Sequence, residues 1–307
     1  MTSSGMAAPG PVRHRGLVEG ALYKTQVFAE VIKWEHSVFA LPFAYMGAGL
    51  AVTKGWPTWP QIAWITLAMV AGRSVAFVLN RVIDKEIDAR NPRTAERALP
   101  RGLVSGLDMI AFGVVSVGLF LLAVYNLAPI VRWLWPFVMV LFVAYPYTKR
   151  FTWLCHMWLG VCLGLAPLGA WVAITGRIDW EPWLLFAAVT LWTAGFDIIY
   201  ATQDVDVDRR EGLKSIPARF GIGPALTATR WMHAASLLFL VAAGSALGLG
   251  WVYFAGMAVT GVLLVYENML VAPGDLSRLD AAFFTMNGVI SVVAAAFALA
   301  DKVVRLS

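Results

Sequence analysis

The sequence predicts an all-α integral membrane protein of about nine transmembrane helices, built as two pseudo-repeated halves around a central cavity. Three observations carry that expectation. Hydrophobic residues make up 59% of the 307-residue chain and charged ones only 14%, against about 25% charged in a typical soluble domain. Nine stretches are long and apolar enough to cross a bilayer, and one acidic cassette occurs twice. The mean hydropathy of +0.70 agrees. Disorder, a disulfide scaffold and an ordinary soluble fold are all excluded by this composition.

A spanning helix needs about 20 mostly apolar residues. In chain order the stretches are 35–53, 61–80, 107–125, 127–145, 153–175, 183–201, 231–248, 250–270 and 281–300. The third and fourth meet at a turn near Ala128 and Pro129, and the seventh and eighth near Gly248. Both pairs read as tight antiparallel hairpins. Residues 1–30 read as a flexible N-terminal tail, small and polar through Gly10 and without the apolar core of a signal peptide. Residues 31–307 read as one transmembrane domain.

The net charge of +5 is topological rather than a sign of nucleic-acid binding, because basic residues collect in cytoplasmic connections. Of the 24 Lys and Arg, 18 fall in the N-terminal segment and the connections on its side, and only five on the other. Arg73 lies inside the second span. This asymmetry puts the N-terminus and the long connections 81–106 and 202–230 in the cytoplasm. Cys155 and Cys162 sit seven apart on one helix face, where Cys behaves as a small hydrophobe. The four histidines are scattered, so a zinc or haem site has no support.

The two long connections are also the acidic ones, and they resemble each other. The first reads NRVIDKEID over 80–88 and runs on to Gly102; the second reads DVDVD over 204–208 and runs on to Gly221. The pairs Asp84/Asp88 and Asp204/Asp208 are both spaced i, i+4 and lie 120 residues apart. Such duplication tends to place the working site where two halves meet. Side chains at i and i+4 share a helix face, so Asn80, Asp84 and Asp88 form one stripe of oxygen ligands, and Asp197, Asp204 and Asp208 a second. Oxygen-only sets suit Mg²⁺, which keeps part of its shell for substrate phosphates. The competing reading is a pair of solvated helix ends with local ion pairs, such as Glu86 with Arg90. Two matched stripes on one side of the membrane favour the metal reading.

Bases follow each stripe. Arg93, Arg97 and Arg101 come after the first, Lys214 and Arg219 after the second, and Tyr145 with Lys149 occupies the intervening loop. Arginine makes forked contacts with phosphate oxygens, and lysine acts as a compact charge. Singly each could contact lipid headgroups. As a set beside the acids they read as a diphosphate clamp.

These motifs resemble the UbiA superfamily of intramembrane prenyltransferases, which carries nine transmembrane helices and two aspartate-rich cytoplasmic motifs. The resemblance covers residues 30–300: the first motif over Asn80–Asp88 with Arg93 and Arg97, the YxxxK signature at Tyr145 and Lys149, and the second motif over Asp197–Asp208 with Lys214 beyond it. Arg81 departs from it, standing where many members have Asp. What the resemblance implies is Mg²⁺-dependent transfer of a polyprenyl chain from its diphosphate to an acceptor. Asp84, Asp88, Asp204, Asp208 and Asp197 are the implied catalytic residues. Asn80 and the four paired aspartates are the implied metal ligands, and Arg93, Arg97, Lys149 and Lys214 the implied diphosphate ligands. Metal support is the rival role for Asp197.

The run from Lys33 through Glu35 and His36 to Pro42 looks like bacterial members acting on hydroxylated aromatic acids. The resemblance therefore implies an enzyme of ubiquinone or menaquinone synthesis in the cell inner membrane, of the 4-hydroxybenzoate polyprenyltransferase type. Arg73, Tyr145, Asp197 and His36 are the candidates to meet the small aromatic acceptor. For His36 helix-end packing is an equal reading. A naphthoate, haem-type or lipid-type acceptor stays open. So does a secondary transporter from another class, although its coupling acids belong near the bilayer midplane, and here they cluster at one face.

Overall fold

The computed structural model describes residues 37–307. The expected tail 1–30, Lys33, Glu35 and His36 lie outside the described residues. In chain order the helices are α1 Ser37–Ala51, α2 Trp59–Ile83, α3 Lys85–Arg90, α4 Gly106–Tyr125, α5 Val131–Phe151, α6 Cys155–Thr175, α7 Pro182–Ala201, α8 Val205–Glu211, α9 Ile216–Phe220, α10 Ile222–Ala246, α11 Trp251–Met269 and α12 Asn287–Leu306, the last entered through a π-helical turn, Ala281–Met286. Each of the nine expected stretches overlaps a helix among the described residues. Seven of these segments are long and apolar enough to cross a membrane. The remaining two are α1, described over 15 residues, and α5. In α5 the Trp, Pro and Tyr residues together with Arg132, Lys149 and Arg150 lower the hydropathy.

The helix ends have local causes. Thr58 and Gln61 form a reciprocal capping box before α2, and Ser105 and Asp108 do the same before α4. Each box satisfies two of the backbone donors that a helix start leaves open. α6 ends on Gly176 and α8 on Gly212, both left-handed, with φ 67° and 69°, a conformation that costs glycine nothing. The expected span 231–248 begins nine residues earlier, at Ile222. Its first turns hold Thr227, Thr229 and Arg230, which hide it from a hydropathy reading. Thr229 makes up for its polarity by donating to the carbonyls of Gly195 and Ala225.

Small residues set the closest helix contact. Gly160 and Gly164, one turn apart on α6, face α7 so tightly that a Cβ on Gly160 would lie 2.2 Å from the Thr190 carbonyl oxygen. A Cβ on Gly164 would meet Thr190 Oγ1 at 2.4 Å. Lipid offers no hydrophobic drive for helices to associate, so membrane helices rely on such close packing. The main core fills the space between α1, α7, α10, α11 and α12, with Phe43, Trp192, Phe196 and Tyr253 among its buried rings. Outward, Val114, Phe137, Leu238 and Val262 are exposed, as lipid-facing side chains are.

Trp59, Trp133, Trp183 and Trp251 are exposed within the first turn of α2, α5, α7 and α11. Chain alternation puts these four starts at one end of the bundle, opposite the acidic motifs. Tryptophan belts mark membrane–water interfaces. The molecule therefore sits in the bilayer as an integral membrane protein, with its acids gathered at the other end.

Candidate active site

Both acidic motifs pass through a break in a helix. α2 stops at Ile83, and Asp84 adopts φ −96°, ψ 7° before α3 begins. Asp204 adopts φ −103°, ψ 5° before α8 begins. The two aspartates thus share one backbone conformation, in the sparsely allowed bridge region. Neither caps the short helix that follows it, so neither carboxylate is spent on local structure. Backbone bonds from Asp84 N to Asn80 O at 3.0 Å and from Asp88 N to Asp84 O at 2.8 Å carry helical spacing through the first break. The stripe of Asn80, Asp84 and Asp88 survives it.

One cavity of about 590 Å³ receives both stripes. Asn80, Asp84, Asp88, Asp197, Asp204 and Asp208 all line it, with Arg73, Arg93, Arg97, Tyr145 and Lys149. Its deeper walls are apolar, including Phe39, Ile65, Met69, Phe120 and Trp135. Charge at one end and hydrocarbon along the rest suits a substrate with an anionic head and a long apolar tail.

The bases neutralise the acids pair by pair. Asp84 is buried, and its Oδ2 accepts from Lys149 Nζ at 2.7 Å and Asn80 Nδ2 at 3.1 Å, with Arg150 on Oδ1 at 3.3 Å. Arg97 Nη1 lies 2.8 Å from both oxygens of Asp88, and Arg81 stands 3.6 Å away. Arg93 and Asn91 bind Asp204, while Ser215 Oγ donates to Asp208 Oδ2 at 2.7 Å. Burial alone opposes the charge of Arg93, yet the hydrogen bond and attraction of Asp204 raise its pKa above the ordinary arginine value. Arg93 also donates to the Tyr200 hydroxyl at 2.8 Å and lies over that ring at 4.9 Å. Tyr200 stacks in turn on Phe283 of the π-helical turn, with centroids 4.1 Å apart.

Among the described residues no three His, Cys, Asp or Glu side chains come together as a ready-made metal cage. Mg²⁺ needs none, since it is usually held by one or two carboxylates together with substrate phosphates. Two all-oxygen carboxylate pairs lining the same cavity fit that mode, with Asp84 and Asp88 on one wall and Asp204 and Asp208 on the other.

Lys214 and Arg73 stand apart from the acids. Lys214 is not among the cavity-lining residues, although its neighbour Leu213 is: its ammonium donates to the Phe151 carbonyl at 3.2 Å. Arg73 does line the cavity, below the acids. It is eleven residues before Asp84 on α2, about 16 Å along the axis at 1.5 Å per residue, over the Phe77 ring at 5.0 Å. It has no carboxylate partner among the described residues.

Several contributors carried no usable signal in the sequence. Asn91, Arg150 and Ser215 reach the acids only through the fold. Tyr200 had one, because 197, 200, 204 and 208 recur at helical spacing. His156 is a lone histidine in an apolar run, yet its Nδ1 lies 2.7 Å from Asp197 Oδ2.

Comparison with known proteins agrees with the fold. The model of the UbiA prenyltransferase family matches residues 40–289. A 4-hydroxybenzoate octaprenyltransferase of Aliivibrio fischeri (strain MJ11) is 32% identical over 266 residues, 86% of this chain and 92% of that one. The protein of the same name from Vibrio campbellii is 28% identical over 275 residues, 88% and 96% of the two chains. Among solved structures, a UbiA homolog from Aeropyrum pernix K1 superposes with a TM-score of 0.76 at 32% identity, covering 89% of this chain and 98% of that one. A UbiA homolog from Archaeoglobus fulgidus, solved with GPP and Mg²⁺, shares the fold at a TM-score of 0.67 and 15% identity, over 90% and 99% of the chains.

Proposed function

The chain belongs to the UbiA prenyltransferase family, and on that premise we propose that it transfers a polyprenyl chain from its diphosphate to a hydroxylated aromatic acid of the 4-hydroxybenzoate type. The reaction belongs to ubiquinone or menaquinone synthesis in the cell inner membrane, with the acidic end facing the cytoplasm. The single observation that carries the acceptor class is Arg73. This half-buried guanidinium lines the cavity without a carboxylate partner among the described residues, so it is placed to receive an anion, and the acceptor's carboxylate supplies one.

The chemistry follows from the residues. The diphosphate head enters between the two acidic motifs, where Arg93, Arg97 and Lys149 neutralise its oxygens. Mg²⁺, held by Asn80, Asp84, Asp88, Asp204 and Asp208, supplies further stabilisation of charge on the leaving diphosphate when bound. These fixed charges favour the state in which the allylic C–O bond has lengthened. The apolar walls keep water from the developing cation, and the cavity-lining rings of Phe39 and Phe196 add the attraction of aromatic groups for a cation. Arg73 anchors the acceptor so that its ring faces the reacting carbon. Tyr145 and Asp197 line the same cavity, and Asp197 receives the proton the ring gives up.

A direct test incubates membranes containing the protein with a labelled polyprenyl diphosphate and a panel of aromatic acids. Prenylated 4-hydroxybenzoate is the expected product. A prenylated naphthoate in its place moves the acceptor to the menaquinone branch, and prenylation of none of the acids overturns the aromatic-acid reading.

A further inference from the structure

His156 and Asp197 form a buried pair whose protonation pattern is set from outside the cavity. His156 is fully packed and makes contacts at both ring nitrogens. Its Nδ1 faces Asp197 Oδ2 at 2.7 Å, and its Nε2 accepts from the Ile216 backbone N–H at 3.3 Å. A backbone N–H can only donate, so Nε2 carries the lone pair and the neutral ring carries its proton on Nδ1. Asp197 is thereby an acceptor toward His156. Its Oδ1 is left for the cavity, which the residue lines.

The segment that holds His156 also holds the other side of the site. Lys214 N donates to the Lys149 carbonyl at 2.7 Å, and Cys155 Sγ contacts the Lys214 carbonyl at 3.4 Å. Ser215 Oγ binds Asp208 and accepts from Ala218 N, capping α9. Ile216 N binds His156. Three consecutive residues, Lys214 to Ile216, thus tie together the last turn of α5, the second acidic motif and, through His156, the Asp197 carboxylate.

We propose that His156 is a positioning residue for the transfer, fixing Asp197 as the carboxylate that removes the ring proton after the new C–C bond forms. This rests on the aromatic-acceptor reading above. In the step, a ring carbon bonds to C1 of the prenyl chain and the C1–O bond breaks, its electron pair leaving with the diphosphate. The C–H bond at the same ring carbon then gives its proton to Asp197 Oδ1 and its electron pair back to the ring, which restores aromaticity. The Nδ1–H bond to Oδ2 keeps the free oxygen of Asp197 aimed at that proton, and the bond from Ile216 keeps the imidazole from rotating.

The test uses the full chain in membranes with geranyl diphosphate and 4-hydroxybenzoate, ring-protonated or deuterated. In the unaltered enzyme proton loss is expected to be fast, so that the two acceptors react at equal rates. His156→Ala is expected to lower kcat by about 10²-fold, the lower range for loss of acid–base assistance, with KM for geranyl diphosphate unchanged. Deuteration is then expected to slow the variant further, because proton loss has become rate-limiting. His156→Gln, whose amide can donate to Asp197 and accept from Ile216, is expected to recover part of kcat and to guard against a folding defect in the alanine variant. Full activity in His156→Ala overturns the proposal. So does a loss in both variants with no isotope effect, since a purely structural role would produce that pattern. An unaltered enzyme that prenylates no aromatic acid fails the underlying reading instead, and the proposal falls with it.

Discussion

Arg93 grips Asp204 with two hydrogen bonds, Nε to Oδ1 at 3.0 Å and Nη2 to Oδ2 at 2.5 Å, across 111 residues of sequence. A second bridge runs alongside, from Arg90 Nε to Glu211 at 2.6 Å. The connection after each acidic motif therefore reaches the other, and the two halves of the duplication are latched at the mouth of the cavity. Because the two partners act as one unit, their losses should not add. Arg93→Gln is expected to lower kcat/KM for the prenyl diphosphate by about 10²-fold, as removal of one preorganised charge donor does. The double variant with Asp204→Asn should fall no further than Asp204→Asn alone. A double-mutant cycle with additive losses would sink the latch.

Asp84 and Asp208 represent the two motifs and should both be indispensable. Replacing either with Ala is expected to leave almost no prenyl transfer in detergent-solubilised protein. Chelation of Mg²⁺ should stop the reaction and restoring the ion should revive it, measured as release of diphosphate. Turnover that survives EDTA would contradict the carboxylate–metal assignment.

Arg73 gives a substrate-dependent prediction. Arg73→Ala should raise KM for a hydroxybenzoate by about 10- to 100-fold, the loss of a charge-assisted hydrogen bond worth about 1.5–3 kcal/mol. It should leave KM for the prenyl diphosphate in place. A phenol lacking the carboxylate should not distinguish the variant from the parent, and equal penalties with both acceptors would remove Arg73 from acceptor binding.

Gly160 tests the packing that brings His156 and Asp197 together. In Gly160→Ala the new Cβ would meet the Thr190 carbonyl at 2.2 Å, a backbone atom that no side-chain rotation can clear. Overpacking of this kind costs about 1–3 kcal/mol. A lower melting temperature is expected, measured by the fraction of protein that stays monodisperse after heating in detergent. Gly118, with open space around its Cβ position, is the control expected to tolerate Ala.

Much of this protein could be read along the chain because the relevant properties are local. Twenty apolar residues in a row make a spanning helix whatever surrounds them, and i, i+4 aspartates share a face wherever helical spacing persists. Asn80, Asp84 and Asp88 are legible for that reason. Tyr145 and Lys149, expected in a loop, lie instead in the last turns of α5, which runs on to Phe151. The start of α10 was not legible, since its polar first turns are stabilised by contacts to α7. Nor could the sequence show that the Lys214 ammonium meets the Phe151 carbonyl, a contact 63 positions away along the chain.

The sequence by itself determined a membrane-embedded helical bundle with its acids and most of its bases at one end. Hydrophobicity and helical period are properties of neighbouring residues, and they suffice for that. Only the tertiary structure decided which base faces which acid, that Arg73 lies deep in the same cavity, and that His156 holds Asp197. The His156–Asp197 and Arg93–Asp204 pairs join residues 41 and 111 positions apart, and they depend on how closely α6 and α7 approach and on where each helix breaks. No one-dimensional pattern records those distances.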